Sequence, residues 1–150
     1  MRLNILIGGK AGQGVNKVSG IISETLIDYG YYIFNYREYP SIIRGGHNFN
    51  ILSISDEPIA SHESKLDVII ALDENTKKIH SDELKKEGFI IDYSKFLSFG
   101  INLNIALAGA LVKILGIDKE YFIKIVKKSL KNKSTFENAL KAAEAGYASQ

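Results

Sequence analysis

Short aliphatic runs alternate along this chain with stretches whose apolar residues recur every three or four positions. Leu3 to Ile7 is dense in aliphatic side chains and stops at Gly8-Gly9, as a strand buried on both faces would. Val15, Val18, Ile22, Leu26 and Tyr29 then fall on one helical face, and Gly30 follows where a C-cap glycine belongs. Strand, glycine loop and helix form the first half of a βαβ unit. The aromatic and β-branched run Tyr31 to Tyr36 is expected to return as a second strand, parallel to the first and paired with it across the helix.

Arg37 to His47 has no helical period and leads straight into Phe49 to Ser55, an alternating strand pattern. Lacking a crossover helix, that strand is expected to run antiparallel or to sit at an edge. Val68 to Leu72 and Phe89 to Asp92 read as two further buried strands, with a helix over Glu74 to Lys86 between them. Asn102 to Leu115 reads as a helix buried almost all round. Lys119 to Leu130 and Thr135 to Tyr147 are amphipathic, with apolar faces Phe122/Ile125/Val126/Leu130 and Phe136/Leu140/Ala143/Tyr147. The pattern predicts one α/β domain over residues 1–150: a three-layer α/β/α, Rossmann-like arrangement around a mostly parallel sheet of about five strands. No internal repeat, Pro/Ser linker or low-complexity tract marks a second domain.

Composition narrows the function classes. With 150 residues and 45% hydrophobic content the chain can bury a proper core. Nineteen basic against 17 acidic residues give a net charge of only +2, which argues against a nucleic-acid surface. The late cluster Lys124, Lys127, Lys128, Lys131 and Lys133 has no interleaved aromatics and reads as a solvated helix face. Met1 to Asn4 runs directly into an apolar strand without a signal-peptide h-region. The longest apolar stretch, Ile101 to Leu115, is broken by Asn102, Asn104 and Lys113 and falls short of the ~20 residues of a membrane span. A cytoplasmic protein without membrane or nucleic-acid partners is expected. The absence of cysteine rules out a disulfide, an iron-sulfur cluster held by this chain's own thiolates, and a cysteine nucleophile.

Two loops carry candidate chemistry. Gly8-Gly9-Lys10-Ala11-Gly12-Gln13-Gly14 lies between the first strand and the first helix, where free N–H groups and the helix dipole can hold an anion. It fits neither the Rossmann G-x-G-x-x-G spacing, whose last position falls on Lys17, nor a Walker A loop, because Val15-Asn16 follows Gly14. The plainer reading is a tight turn with close helix–strand packing. The second loop, Glu38-Tyr39-Pro40-Ser41-Ile42-Ile43-Arg44-Gly45-Gly46-His47-Asn48, mixes aromatic, cationic and hydrogen-bonding groups. Two of the chain's three arginines, Arg37 and Arg44, fall in or beside it, which suits a guanidinium fork gripping a carboxylate or phosphate. Both loops are expected near the carboxyl ends of adjacent parallel strands, the ligand-binding edge of such sheets. The three histidines have no metal-site spacing: His62 and His80 read as surface or capping residues, and His47 stands out only for its neighbours. Asp67, Asp73 and Asp92 flank strands and read as caps of turns and helices.

Taken together, Ala11-Gly12-Gln13-Gly14-Val15 and, one helix and one strand later, Glu38-Tyr39-Pro40-Ser41-x-x-Arg44-Gly45-Gly46-His47-Asn48 resemble the gamma domain of 2-oxoacid:ferredoxin oxidoreductases, the pyruvate, ketoisovalerate and 2-oxoglutarate enzymes. The resemblance extends through Ile51 to Pro58, Asp67 to Asp73, Gly88 to Asp92 and the terminal Ala-rich helix ending at Gly146-Tyr147. It implies a complex in which thiamine diphosphate with Mg²⁺ attacks the 2-oxoacid, iron-sulfur clusters pass electrons to ferredoxin, and coenzyme A takes the acyl group. This chain has no Gly-Asp-Gly diphosphate motif and no cysteine. The resemblance therefore implies no catalytic residue, metal or cofactor held by this chain alone, and partner subunits (alpha, beta and a ferredoxin-like delta) that carry them. Gly8, Gly9, Gly12, Gln13, Gly14, Tyr39, Pro40, Arg44, Gly45, Gly46, His47 and Asn48 are the residues expected to line the ligand- and partner-facing site. Ala11, where many separate gamma subunits show glycine, resembles the version fused at the N-terminus of longer alpha chains, so a free-standing subunit and an excised domain both remain open. A rival from another class is a stand-alone module that binds a nucleotide or coenzyme A.

Overall fold

Each aliphatic run becomes a strand and each 3.6-residue pattern a helix, in the order β1 (Arg2–Lys10), α1 (Val15–Tyr29), β2 (Tyr32–Glu38), β3 (His47–Ser55), β4 (Leu66–Ala71), α2 (Glu74–His80), β5 (Leu84–Asp92), α3 (Leu103–Ile114), α4 (Lys119–Ser129) and α5 (Lys133–Ala148). This is a computed structural model, and it describes residues 2–38, 46–59, 65–130 and 133–150. α1 ends as its sequence predicts. Gly30 takes φ 115° and its N–H bonds the carbonyls of Leu26 and Ile27, a left-handed stop that a side chain would resist.

The five strands are ordered β2-β3-β1-β4-β5. β4 lies parallel to β1 and β5 parallel to β4, while β3 is antiparallel to both of its neighbours. The expected antiparallel strand is therefore present, but inside the sheet rather than at its edge. The expected parallel pairing of β2 with β1 does not occur, because β3 is inserted between them. The polar residues of β3 suggest an exposed edge, yet Asn50 and Ser53 are buried and hydrogen-bonded. Asn50 Nδ2 donates to Ser19 Oγ at 2.8 Å and to Asn16 Oδ1 at 3.1 Å on α1, and Ser53 Oγ donates to Asn4 Oδ1 at 2.7 Å on β1.

A second correction concerns Glu74 to Lys86. The helix stops at His80, a 3₁₀ turn covers Ser81–Glu83, and Leu84 already pairs with Leu66 in β5. β5 is an edge strand, which explains why it tolerates Lys85, Lys86 and Glu87 in the middle of a sheet element.

The layers are unequal. Ile5, Ile7, Leu52, Ile54, Val68 and Ile70 point into the main core with α1, α3, α4 and α5. The opposite face carries a smaller cluster, Leu6, Ile51, Leu66, Ile69 and Ala71, and α2 lies on that side near the carboxyl ends of β1 and β4. α3 and α5 approach closely through glycines: a Cβ on Gly146 would sit 1.9 Å from the Ala106 carbonyl oxygen, and one on Gly109 2.6 Å from that of Ala143. The helical run Tyr93–Ile114 is 22 residues long and contains an 18-residue window with a mean hydropathy of 1.6, enough to cross a membrane by length and composition. It bends at Gly100 (φ 57°), and α3 spends its apolar surface on α5 and the sheet, as a core helix does. On α4, Lys124 and Lys128 pair with Asp28 and Glu24 of α1, each at 3.3 Å, in keeping with a solvated face.

Candidate functional site

The insertion of β3 brings the two loops together more directly than adjacent parallel strands would. The last residues of β1 pair with the first of β3, Gly9 with Asn48 and Lys10 with His47, and the Ala11 N–H donates to the Gly46 carbonyl at 2.9 Å. Gly8, Gly9, Gly12, Gln13, Gly14, Gly46, His47 and Asn48 thus occupy one sheet edge. Tyr39, Pro40, Arg44 and Gly45 lie outside the described residues.

The glycine loop is a built structure. Gly12 and Gly14 take φ 94° and 79°, values that favour glycine. Gln13 folds back over the strand: its Oε1 accepts from Lys10 N–H at 2.6 Å and its Nε2 donates to the Leu72 carbonyl at 3.4 Å. A Cβ on Gly9 would fall 2.6 Å from Gln13 Oε1, so glycine there makes room for the clasp. From the far side Asn104, buried at the start of α3, donates to the Gln13 carbonyl at 3.3 Å. Gly14, the N-cap of α1, provides no side-chain acceptor for the first-turn N–H groups. Just before this N-terminus, Gly12 and Gln13 help line a cleft of about 230 Å³ together with Leu72, Ile101 and Asn104. Ile101 is 82% exposed at its rim, and Leu97 on the same segment is 63% exposed.

The other face of this edge holds a cluster that spacing alone does not reveal. His47 and His80 meet through their Nε2 atoms at 2.8 Å, and His80 Nδ1 is bonded to the Glu83 carboxylate. Phe49 packs on both rings, with centroids 5.7 and 4.7 Å away. His80, expected to be a surface or capping residue, stands at the N-cap position of the Ser81–Glu83 turn but is buried there, while His62 lies outside the described residues. Gly8 makes the space: a Cβ there would lie 2.6 Å from Thr76 Cγ2 and 3.2 Å from His47 Cε1. Burial, with the neighbouring His80 as a smaller cause, lowers the His47 pKa below its ordinary 6.5, and Asp73 opposes them. Asp73 caps α2 by accepting from the Thr76 N–H (2.9 Å) and hydroxyl (2.7 Å). Asp92 caps the next turn through the Ser94 N–H, as expected from sequence, whereas Asp67 is no cap: it lies within β4, accepts from the Asn4 N–H of β1 at 2.8 Å and pairs with Lys85 of β5 at 3.2 Å. Asn104, Ile101, His80 and Glu83 are contributions sequence reading missed. None stands in a motif, and only the fold brings them to this edge.

Residues 4–102 match the family described as pyruvate ferredoxin/flavodoxin oxidoreductase. The subunit alpha of a 2-oxoacid:ferredoxin oxidoreductase from Sulfolobus sp is 37% identical over 95 residues, 63% of this chain and 15% of that protein. A counterpart from Aeropyrum pernix is 26% identical over 89 residues, 59% of this chain and 14% of its own length. The chain thus spans about 15% of the length of these curated relatives. Among solved structures, the gamma subunit of a keto/oxoacid ferredoxin oxidoreductase from Geobacter sulfurreducens superposes with a TM-score of 0.83 at 24% identity, covering 99% of this chain and 95% of that one. The 2-oxoglutarate:ferredoxin oxidoreductase from Magnetococcus marinus, solved with 2-oxoglutarate, coenzyme A and succinyl-CoA, gives 0.86 at 17% identity, covering 98% of this chain and 30% of that one. At these identities the two structures establish the fold.

Proposed function

The chain belongs to the pyruvate ferredoxin/flavodoxin oxidoreductase family, and from that premise we propose that it is the gamma component of a cytoplasmic 2-oxoacid:ferredoxin oxidoreductase. In this reading the assembled enzyme decarboxylates a 2-oxoacid oxidatively to its acyl-CoA and passes electrons to ferredoxin, and this chain completes a site that the alpha, beta and delta subunits largely build. The observation that carries the reading is the sheet edge where Ala11 N–H meets the Gly46 carbonyl, since it joins the two signature loops into one surface.

The donor set fits a component better than a whole enzyme. An iron-sulfur cluster needs thiolates, and the chain has none. Nor do its residues suit thiamine diphosphate with Mg²⁺, for which no Gly-Asp-Gly motif is present. The cleft does suit part of a coenzyme A or substrate anion: the Asn104 amide in its lining offers a donor, and the uncapped N-terminus of α1 follows its lining residue Gln13 in the chain. At about 230 Å³ it is smaller than the ~300–1,000 Å³ of a self-sufficient ligand pocket, which favours completion by another chain. Ile101 and Leu97, exposed beside it, suit docking against a partner subunit.

In the assembled complex, Arg44→Ala should lower 2-oxoacid-dependent ferredoxin reduction while circular dichroism of the chain stays unchanged. Unaltered kinetics would remove the second loop from the site. Calorimetry separates the rival reading, because a stand-alone module binds coenzyme A or a nucleotide tightly without partners, whereas a component binds weakly until they are added.

A further inference from the structure

We propose that Glu83, His80 and His47 form a proton relay in which His47 Nδ1 is a shielded acceptor at the β1–β3 edge and any positive charge is carried by His80 against Glu83. The partners dictate the tautomers. Glu83, as a carboxylate, only accepts, so His80 Nδ1 carries a proton and donates to it. With His80 neutral, its Nε2 has only a lone pair and must accept from His47 Nε2–H across the 2.8 Å contact. That leaves His47 Nδ1 without a proton. This atom is out of contact with solvent and has no hydrogen-bond partner among the described residues.

Proton uptake at Nδ1 then balances in one move. The arriving proton binds His47 Nδ1, the Nε2 proton of His47 passes to His80 Nε2, and His80 becomes an imidazolium hydrogen-bonded to the Glu83 carboxylate. His47 ends neutral in the opposite tautomer, with Nδ1 now a donor. Two adjacent imidazoliums at this separation would repel, so the pair takes up one proton and not two. The charged groups around the pair are Glu83 on the 3₁₀ turn, Asp73 at the start of α2 and Lys10, the register partner of His47 on β1. Asp73, whose Oδ2 is also buried without a partner among the described residues, favours charge on His47. The direct bond from His80 to Glu83 and the burial of His47 favour charge on His80. Glu83 and His80 are therefore positioning residues for His47, and the proton comes from water as the pH falls.

The test is multiple-bond ¹H–¹⁵N NMR of the imidazoles in the full 150-residue chain, which has only three histidines. At pH 8, His47 should show a single tautomer with unprotonated Nδ1. On acidification His80 should become the imidazolium while Nδ1 of His47 gains its proton. Glu83→Leu, at a side chain 47% exposed, removes the acceptor and should abolish the single tautomer of His47, while Glu83→Asp should keep it in part. A protonated Nδ1 on His47 at pH 8, a cation on His47 in place of His80, or spectra unmoved by Glu83→Leu in a chain whose circular dichroism is unchanged would each overturn the relay. The relay belongs to this chain alone, so its failure leaves the gamma-component reading standing, and failure to assemble leaves the relay standing.

Discussion

Gly8→Ala is the most informative single change, because it adds one methyl to the point where β1, α2 and His47 converge. The new Cβ would lie 2.6 Å from Thr76 Cγ2, 3.0 Å from Thr76 Oγ1 and 3.2 Å from His47 Cε1. Thr76 cannot simply rotate away: it is fully buried and its hydroxyl is tied to Asp73 Oδ1 at 2.7 Å. Overpacking a fixed site costs about 1–3 kcal/mol, which for ~150 residues is a fall in Tm of roughly 3–9 °C. Gly20→Ala is the control. Gly20 lies in α1 with nothing within 4 Å of its would-be Cβ, so there alanine should stabilise by about 0.5–1 kcal/mol. The assay is urea denaturation of Gly8→Ala, Thr76→Ser and the double variant. Serine removes Cγ2 while keeping a hydroxyl for Asp73, so the Gly8→Ala cost should shrink in that background, with a coupling of about 1 kcal/mol. A Gly8→Ala protein as stable as its parent, or costs that simply add, would refute the packing argument.

Three further outcomes are expected. Gly146→Val should cost about 3 kcal/mol or more in urea denaturation, because even a Cβ there would overlap the Ala106 backbone of α3; a tolerated valine would show that the α3–α5 contact is loose. Acid should destabilise the fold through His47, whose folded pKa is depressed. The unfolded chain then binds the extra proton, stability is full above about pH 6.5 and falls as pH drops below it, and His47→Asn should flatten that slope between pH 6.5 and 5; an equal slope in the variant would reassign the titration. Ile101→Glu should leave the stability of the chain within about 0.5 kcal/mol but weaken binding to the partner subunits by about 2 kcal/mol, roughly 30-fold, by surface plasmon resonance; unchanged affinity would place the interface elsewhere.

The parts of the fold legible in the sequence are those fixed by local chemistry. Gly30 had to end α1, the glycine loop had to turn between β1 and α1, and Asp73 had to cap α2, because each depends on residues within a few positions. The position of β3 was not legible. Asn50 and Ser53 look like solvent-facing residues until Asn16, Ser19 and Asn4, distant in sequence, are seen to satisfy them. Lys85 and Lys86 extended the apparent helix because an edge strand accepts the same charged residues as a helix face. The two loops of the candidate site were legible as loops. The His80 and Glu83 behind His47 were not, since the two histidines are 33 positions apart and only α2 lying over Gly8 brings them together.

Native mass spectrometry of the protein purified from its own cells tests the central claim most directly. A gamma component should emerge bound in fixed stoichiometry to chains that carry thiamine diphosphate and iron-sulfur clusters. A chain that emerges alone, or that retains coenzyme A or a nucleotide without any such partner, would contradict the account.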